Sequence, residues 1–149
     1  MNVGIGYFPK YRVFLIAMTA LIILGIWVFN NVGGDMPKVE KFQDEFSQKF
    51  NVKYAHMVNS GSSANLVLIT AMKKKFNWQP DDEIIVTPMT CFASIAAILA
   101  NDCKVRWADV DLNTCNIDLD DVERKMNQNT VGVMVVHWGG NPVDLGRLK

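Results

Sequence analysis

The chain has no excess of charge: among 149 residues, 15 lysines and arginines balance 15 aspartates and glutamates. A nucleic-acid partner calls for a basic face, and this composition gives no case for one. Histidine is reduced to His56 and His137, and cysteine to Cys91, Cys103 and Cys115. The cysteines are odd in number and dispersed, with no CxxC pair and no histidine at ligand spacing. That pattern argues against a disulfide framework and a structural zinc site, and for free thiols in a reducing compartment. There is no GxGxxG, no GxxxxGK[ST] and no GxSxG. A Ser62/His137/Asp144 triad can be drawn on paper, but spacing gives it no support. No internal repeat or low-complexity run is present, and the length suits one ordinary domain.

What stands out first is VFLIAMTALIILGIWVF, from Val13 to Phe29, seventeen residues without a charge. That is the lower limit for a membrane-spanning helix and long for a signal-peptide core, and no small-x-small cleavage site follows it. Residues 1–31 therefore read as an apolar N-terminal helix, a candidate membrane anchor preferred over a cleaved signal. A third reading packs it against a partner subunit. Lys10 and Arg12 before the segment balance Lys38 and Lys41 after it, so the positive-inside rule gives it no orientation.

From residue 32 to 149 the pattern is that of an α/β domain. After the joint NNVGGD, Asp35 can cap and Pro37 sits in a first helical turn. Val39, Phe42 and Phe46 recur at helical spacing, which predicts an amphipathic helix laid on a core. Tyr54–Val58 reads as a strand. Ala64–Lys75 reads as a helix through Leu66, Ile69 and Met72, with Lys73, Lys74 and Lys75 as its solvated end. Glu83–Thr87 is a buried strand, Phe92–Ala100 a small-residue helix and Val105–Val110 a strand. Asp118 caps a short helix through Val122 and Met126, and Val131–Val136 is a further buried strand. Apolar strands separated by helices predict a largely parallel sheet with flanking helices. Ligands of such sheets sit at the carboxyl ends of the strands. NSGSSAN (Asn59–Asn65), Pro88–Ser94 and His137–Asn141 all follow predicted strand ends, so they can converge on one pocket.

NSGSSAN is the centre of this pattern. It places one glycine and three hydroxyls where a strand gives way to a helix. The first amides of a helix lack intrahelical acceptors and sit at the positive end of its dipole, so a phosphate suits the spot. Ser60, Ser62 and Ser63 can also act simply as helix caps, which does not exclude the phosphate.

The order of segments resembles the PLP-dependent sugar aminotransferases of the DegT/DnrJ/StrS type, which have the fold type I architecture. The similarity runs from Gly33 to Leu145 through GGDMPKVEKFQDEF, YAHMVNSGSSANLVL, PDDEIIVTPMTCFASIAAIL, VRWADVDLNTCNIDLDDVE and VVHWGGNPVDL. The resemblance implies that Gly61, Ser62 and Ser63 hold the phosphate of pyridoxal 5'-phosphate and that Phe92 stacks on its pyridine ring. A core position for Phe92 is the alternative. Asp109, Asp111 and Asp118 match structural positions. His137 and Trp138 line the active-site side, with a hydrogen-bonded structural role as the alternative for His137. No metal is implied.

The family's Schiff-base lysine and its pyridine-nitrogen aspartate lie in segments that would follow Leu145. No lysine of this chain inherits that role, and no catalytic residue is assigned. The expectation is thus the truncated N-terminal part of a fold type I large domain, preceded by an apolar helix. The implied activity is amino transfer from an amino acid onto a keto-sugar nucleotide, in amino-sugar or surface-polysaccharide biosynthesis. A catalytically dead or split relative acting as a binding module, and the dehydratase branch of the family, stand as alternatives. The family works as a homodimer, and a cytoplasmic α/β domain is expected, membrane-anchored if Val13–Phe29 inserts.

Overall fold

The computed structural model describes residues 36–148. The Val13–Phe29 segment and the joint with Asp35 lie outside the described residues. Among the described residues no helix is long and apolar enough to cross a membrane.

In chain order the elements are α1 (Met36–Lys49), α2 (Gly61–Phe76), β1 (Glu83–Val86), α3 (Phe92–Leu99), β2 (Lys104–Trp107), α4 (Leu119–Lys125) and β3 (Thr130–Met134). Two short 3-10 turns follow, at Trp138–Gly140 and Leu145–Leu148. The strands form one parallel sheet in the order β2–β1–β3. Parallel neighbours need a crossover, and each crossover carries a helix: α3 between β1 and β2, α4 between β2 and β3. The expected α/β architecture is what forms.

Strand β1 is central and all four of its residues are buried. Ile84 and Val86 pack on one face with Ile69 of α2, Ala97 and Ile98 of α3, and Met134. Ile85 packs on the other with Val122 of α4, Ala108, Ile117, Val133, Val135, Val143 and Leu148. Helices α2 and α3 thus cover one face, while α4 and the C-terminal turns cover the other. Burial on both faces is why EIIV reads as an unbroken apolar run rather than an alternation. In β3 the register slips by one: Glu83 pairs with Thr130, but Ile84 pairs with Gly132. Val131 is the extra residue of a β-bulge.

Asn101, buried after α3, fastens α2 to α3. Its Nδ2 donates to the Ala97 carbonyl at 2.8 Å and its Oδ1 accepts from Thr70 Oγ1 at 2.8 Å. Lys73 Nζ donates to its carbonyl as well. Lys73 is therefore a tie between helices, and only the rest of the lysine run is the solvated end read from the sequence.

Other expectations are corrected. Tyr54–Val58 is not a strand; Tyr54 is 70% exposed. The segment is tied to α1 by the Met57 amide, which donates to Gln43 Oε1 at 2.8 Å. β-type residues make a strand only beside a partner strand, and the sheet offers none there. Helix α1 forms, but Phe42, Phe46 and Phe50 stack on one another, with centroids 5.9 and 4.4 Å apart, outside both core clusters. Helix α2 starts at Gly61 and buries the Asn65–Ile69 line, leaving Leu66 42% exposed. Strand β2 is a mostly exposed edge that stops at Trp107. Val110 instead bridges antiparallel to Ile117 as the chain doubles back.

That doubling back is held by Asp121 in α4. Its Oδ2 accepts from the Asp109 amide at 2.6 Å and from Lys125 Nζ at 2.7 Å, while Oδ1 accepts from Arg124 at 3.1 Å. The Lys125 contact, then the Asp109 amide, lower its carboxyl from 3.8 to about 2, against the raising effect of burial. A depressed folded-state pKa stabilises the fold fully above the unfolded value and is lost as pH falls through the folded one. Urea midpoints of the wild-type chain are expected to drop between about pH 4 and about pH 2. The Asp121→Asn variant, already weakened at neutral pH, should lose less over that window.

Candidate functional site

Helix α2 begins with a cap made inside NSGSSAN. Ser60 is extended (φ −161°, ψ 162°), and its Oγ accepts from the Ser63 amide at 3.2 Å. The same Oγ donates to Ser63 Oγ at 3.1 Å, and the Ser60 carbonyl accepts from the Ala64 amide at 3.0 Å. One serine therefore caps, with Ser63 as its partner. The amides of Gly61 and Ser62 have no acceptor among the described residues, nor has the exposed Ser62 hydroxyl. These are two backbone donors and one side-chain donor at the positive end of a 16-residue helix, a donor set suited to an oxyanion. Capping and anion binding draw on different groups and are compatible here.

Two observations fix where this helix start lies. The short turn after Phe76 joins α2 to the amino end of β1, so α2 runs against the strands and starts at their carboxyl edge. Thr70 and Lys73 also meet Asn101 at the far end of α3. Ser62 lies eight residues before Thr70, and Phe92 nine before Asn101. At 1.5 Å per residue both helices climb roughly 12–14 Å from that junction to the same edge.

Phe92 is the first residue of α3 and is 75% exposed. It lies outside both core clusters of the described residues, and its ring is free to present a face to a ligand. Cys91 before it makes no side-chain cap. Thr90 Oγ1 and Ser94 Oγ lie 2.9 Å apart, and the Ser94 amide bonds the Cys91 carbonyl at 3.0 Å, which closes the first turn.

His137 and Trp138 follow β3, the neighbour of β1, at the same edge. His137 Nδ1 accepts from the Val143 amide at 3.0 Å. A nitrogen that accepts carries no proton, so the ring proton sits on Nε2. His137 thus holds the loop through Nδ1, and that nitrogen cannot donate to Asp144 as a triad would require. Trp138, 41% exposed, starts a turn through Gly139 (φ 59°) and Gly140 (φ 86°). Both angles lie in the left-handed region that glycine enters without strain.

The structure brings Gly61, Ser62, Ser63, Phe92, His137 and Trp138 to one edge; Ser63 gives its amide to the cap and keeps its hydroxyl hydrogen, since its Oγ accepts from Ser60. The aspartates are structural. Asp118 Oδ1 accepts from the amides of Asp120 (2.8 Å) and Asp121 (3.3 Å). The amides of Asn113 and Thr114 hold the Asp111 carboxyl below the usual carboxylate range. Sequence reasoning missed Asn116, which is 4% exposed and bonded to the strand-end loop. A polar residue between Cys115 and Ile117 was the available signal, but no spacing rule links it to residues more than twenty positions away.

The profile of the DegT/DnrJ/EryC1/StrS aminotransferase family matches residues 29–149. The chain is 34% identical over 106 residues to GDP-4-keto-6-deoxy-D-mannose 3-dehydratase of Escherichia coli O55:H7, covering 70% of this chain and 27% of that protein. It is 34% identical over 114 residues to dTDP-3-amino-3,6-dideoxy-alpha-D-galactopyranose transaminase of Aneurinibacillus thermoaerophilus, covering 76% and 30%. Among solved structures it is similar to E. coli GDP-4-keto-6-deoxy-D-mannose-3-dehydratase with bound hydrated PLP. The identity there is 29% and the TM-score 0.70, covering 86% of this chain and 34% of that one. The chain thus spans under a third of the length of these curated relatives.

Replacing His137 by Phe leaves the Val143 amide without its acceptor beside a buried side chain. Urea unfolding should show a loss of about 1–3 kcal/mol. His137→Asn, whose Oδ1 stands near the place of Nδ1, should retain most of the stability. Equal losses in both variants would show that the acceptor is not what holds the loop.

Proposed function

The chain belongs to the DegT/DnrJ/EryC1/StrS aminotransferase family, and on that premise we propose that it forms the phosphate and ring-face part of a pyridoxal 5'-phosphate site in an enzyme acting on keto-sugar nucleotides. The observation that carries this reading is the set of unpaired donors at the start of α2. The Gly61 and Ser62 amides and the Ser62 hydroxyl hold the cofactor phosphate, Ser60 and Ser63 keep that turn in shape, and Phe92 offers its ring to the pyridine face. When bound, the cofactor supplies the electron sink for chemistry at the substrate carbon that bears nitrogen. The residues of this chain bind and orient it. Amino transfer from an amino-acid donor is the leading activity. Dehydration of the same class of sugar nucleotide is the second, supported by the similarity to the E. coli dehydratase.

No lysine of this chain is assigned as the cofactor's covalent anchor. Lys73 and Lys104 are engaged with Asn101 and Asp81, and Lys125 with Asp121. All three sit toward the amino edge of the sheet, away from Ser62. Homodimerisation belongs to the same proposal, supported by the exposed Leu66, Val67 and Leu99 on two neighbouring helices.

Ser62→Ala removes one hydroxyl donor and should weaken binding of the cofactor about fivefold, the equivalent of about 1 kcal/mol, in equilibrium dialysis. Unchanged affinity would reduce the turn to a cap. Borohydride treatment of the cofactor-loaded chain should leave no lysine modified, and a stable adduct on any lysine here would overturn that part of the assignment.

A further inference from the structure

The strand-end loop His137–Val143 is held by a side chain that no sequence motif marked. Asn116 sits in the doubled-back segment after β2 and is almost wholly buried. Its Oδ1 accepts from the Trp138 amide at 2.9 Å, and its Nδ2 donates to the Asn141 carbonyl at 3.1 Å. Both partners are backbone groups of fixed polarity. A backbone N–H can only donate and a carbonyl can only accept, so the orientation of the amide is forced. The one side-chain amide therefore closes both ends of the Trp138–Asn141 turn. Aspartate would face the Asn141 carbonyl with an oxygen, and an aliphatic residue would leave two groups unpaired.

The segment carrying Asn116 is itself rigid. Asp111 Oδ1 accepts from the Asn113 and Thr114 amides at 2.7 and 3.0 Å. The Asp111 carbonyl accepts from the Cys115 amide at 2.8 Å, and the Asp111 amide donates to the Asn116 carbonyl at 2.9 Å. Cys115 takes φ 57°, which turns the chain so that Asn116 points inward. The Asn116 amide donates to Thr114 Oγ1 at 3.3 Å, and Asn141 Nδ2 returns a bond to the Thr114 carbonyl at 3.5 Å. This much local ordering around one buried amide, with a half-exposed tryptophan on the far side, is what a support for a ligand-facing loop requires.

We infer that Asn116 is a positioning residue that fixes Trp138 and the His137 loop at the carboxyl edge of the sheet, toward the ring end of the bound cofactor. The inference rests on the cofactor site proposed above, but the clamp is testable without it. In hydrogen exchange on the full chain, Asn116→Ala should speed exchange of the Trp138 amide about tenfold or more, with the Ile84 and Ile85 amides of β1 unchanged. In equilibrium dialysis the same variant should bind pyridoxal 5'-phosphate about fivefold more weakly and inorganic phosphate as tightly as wild type. The turn at Ser62 is untouched, and only the ring end loses its wall.

Asn116→Asp keeps an acceptor for Trp138 and loses the donor to Asn141. It should leave the Trp138 amide protected, and it decides the case if the alanine variant fails to protect β1. Unchanged Trp138 exchange in Asn116→Ala, or equal losses of affinity for the two ligands, would overturn the inference. So would loss of Trp138 protection in Asn116→Asp. Wild-type chain that binds the cofactor no better than inorganic phosphate would sink the cofactor reading instead, and the clamp would then be judged by exchange alone.

Discussion

Strand β1 lies parallel to both of its neighbours and is buried along its whole length. Parallel pairing forbids a tight hairpin, so the chain must return across a face each time, and a helix is the economical way to satisfy its backbone during the return. Each return starts at the carboxyl edge. Helices α2 and α3 and the loop after β3 therefore open on one side of the sheet, whatever their individual sequences. The positive ends of two helices, an exposed aromatic ring and a glycine turn meet there because of topology. Their chemistry then depends on a few side chains.

Within NSGSSAN the work is divided. Ser60 spends its hydroxyl on the third amide of α2, and the Ser60 carbonyl takes the fourth. The two amides ahead of them stay open. Capping fixes the direction in which those two donors point, so the proposed oxyanion would meet a cup already in shape and would not have to order it. The walls proposed for a ligand at this edge are residues whose own positions are set elsewhere. Phe92 is presented by the first turn of α3, and Trp138 by a loop tied to Asn116 some twenty residues earlier in the chain.

Much of this was legible in the sequence for physical reasons. The runs EIIVT and VGVMVV show doubly buried strands by their composition, and serine before a helical pattern shows a helix start. Both are local signals. The Tyr54–Val58 strand was misread because β-propensity describes a segment's suitability and not the presence of a neighbour to pair with. The phenylalanine stripe of α1 was correctly periodic, yet periodicity does not say what the stripe packs on, and the rings chose one another. Which serine caps, and that Lys73 reaches Asn101, depend on side-chain geometry that spacing does not encode. Asn116 was invisible because its two partners are main-chain groups more than twenty residues away.

The bulge in β3 lets one strand place valines of one spacing on both faces of the sheet. Val131 and Val133 are two residues apart, a spacing that in a regular strand would put them on the same side. Here Val131 packs with the first cluster and Val133 with the second. One surplus residue resets the phase of the alternation, and Val133 and Val135 both fall in the second cluster. Removing Val131 would let Thr130 and Gly132 follow one another opposite Glu83 and Ile84, so the strand beyond would keep its sides and the loss would fall on the first cluster, which Val131 now packs against.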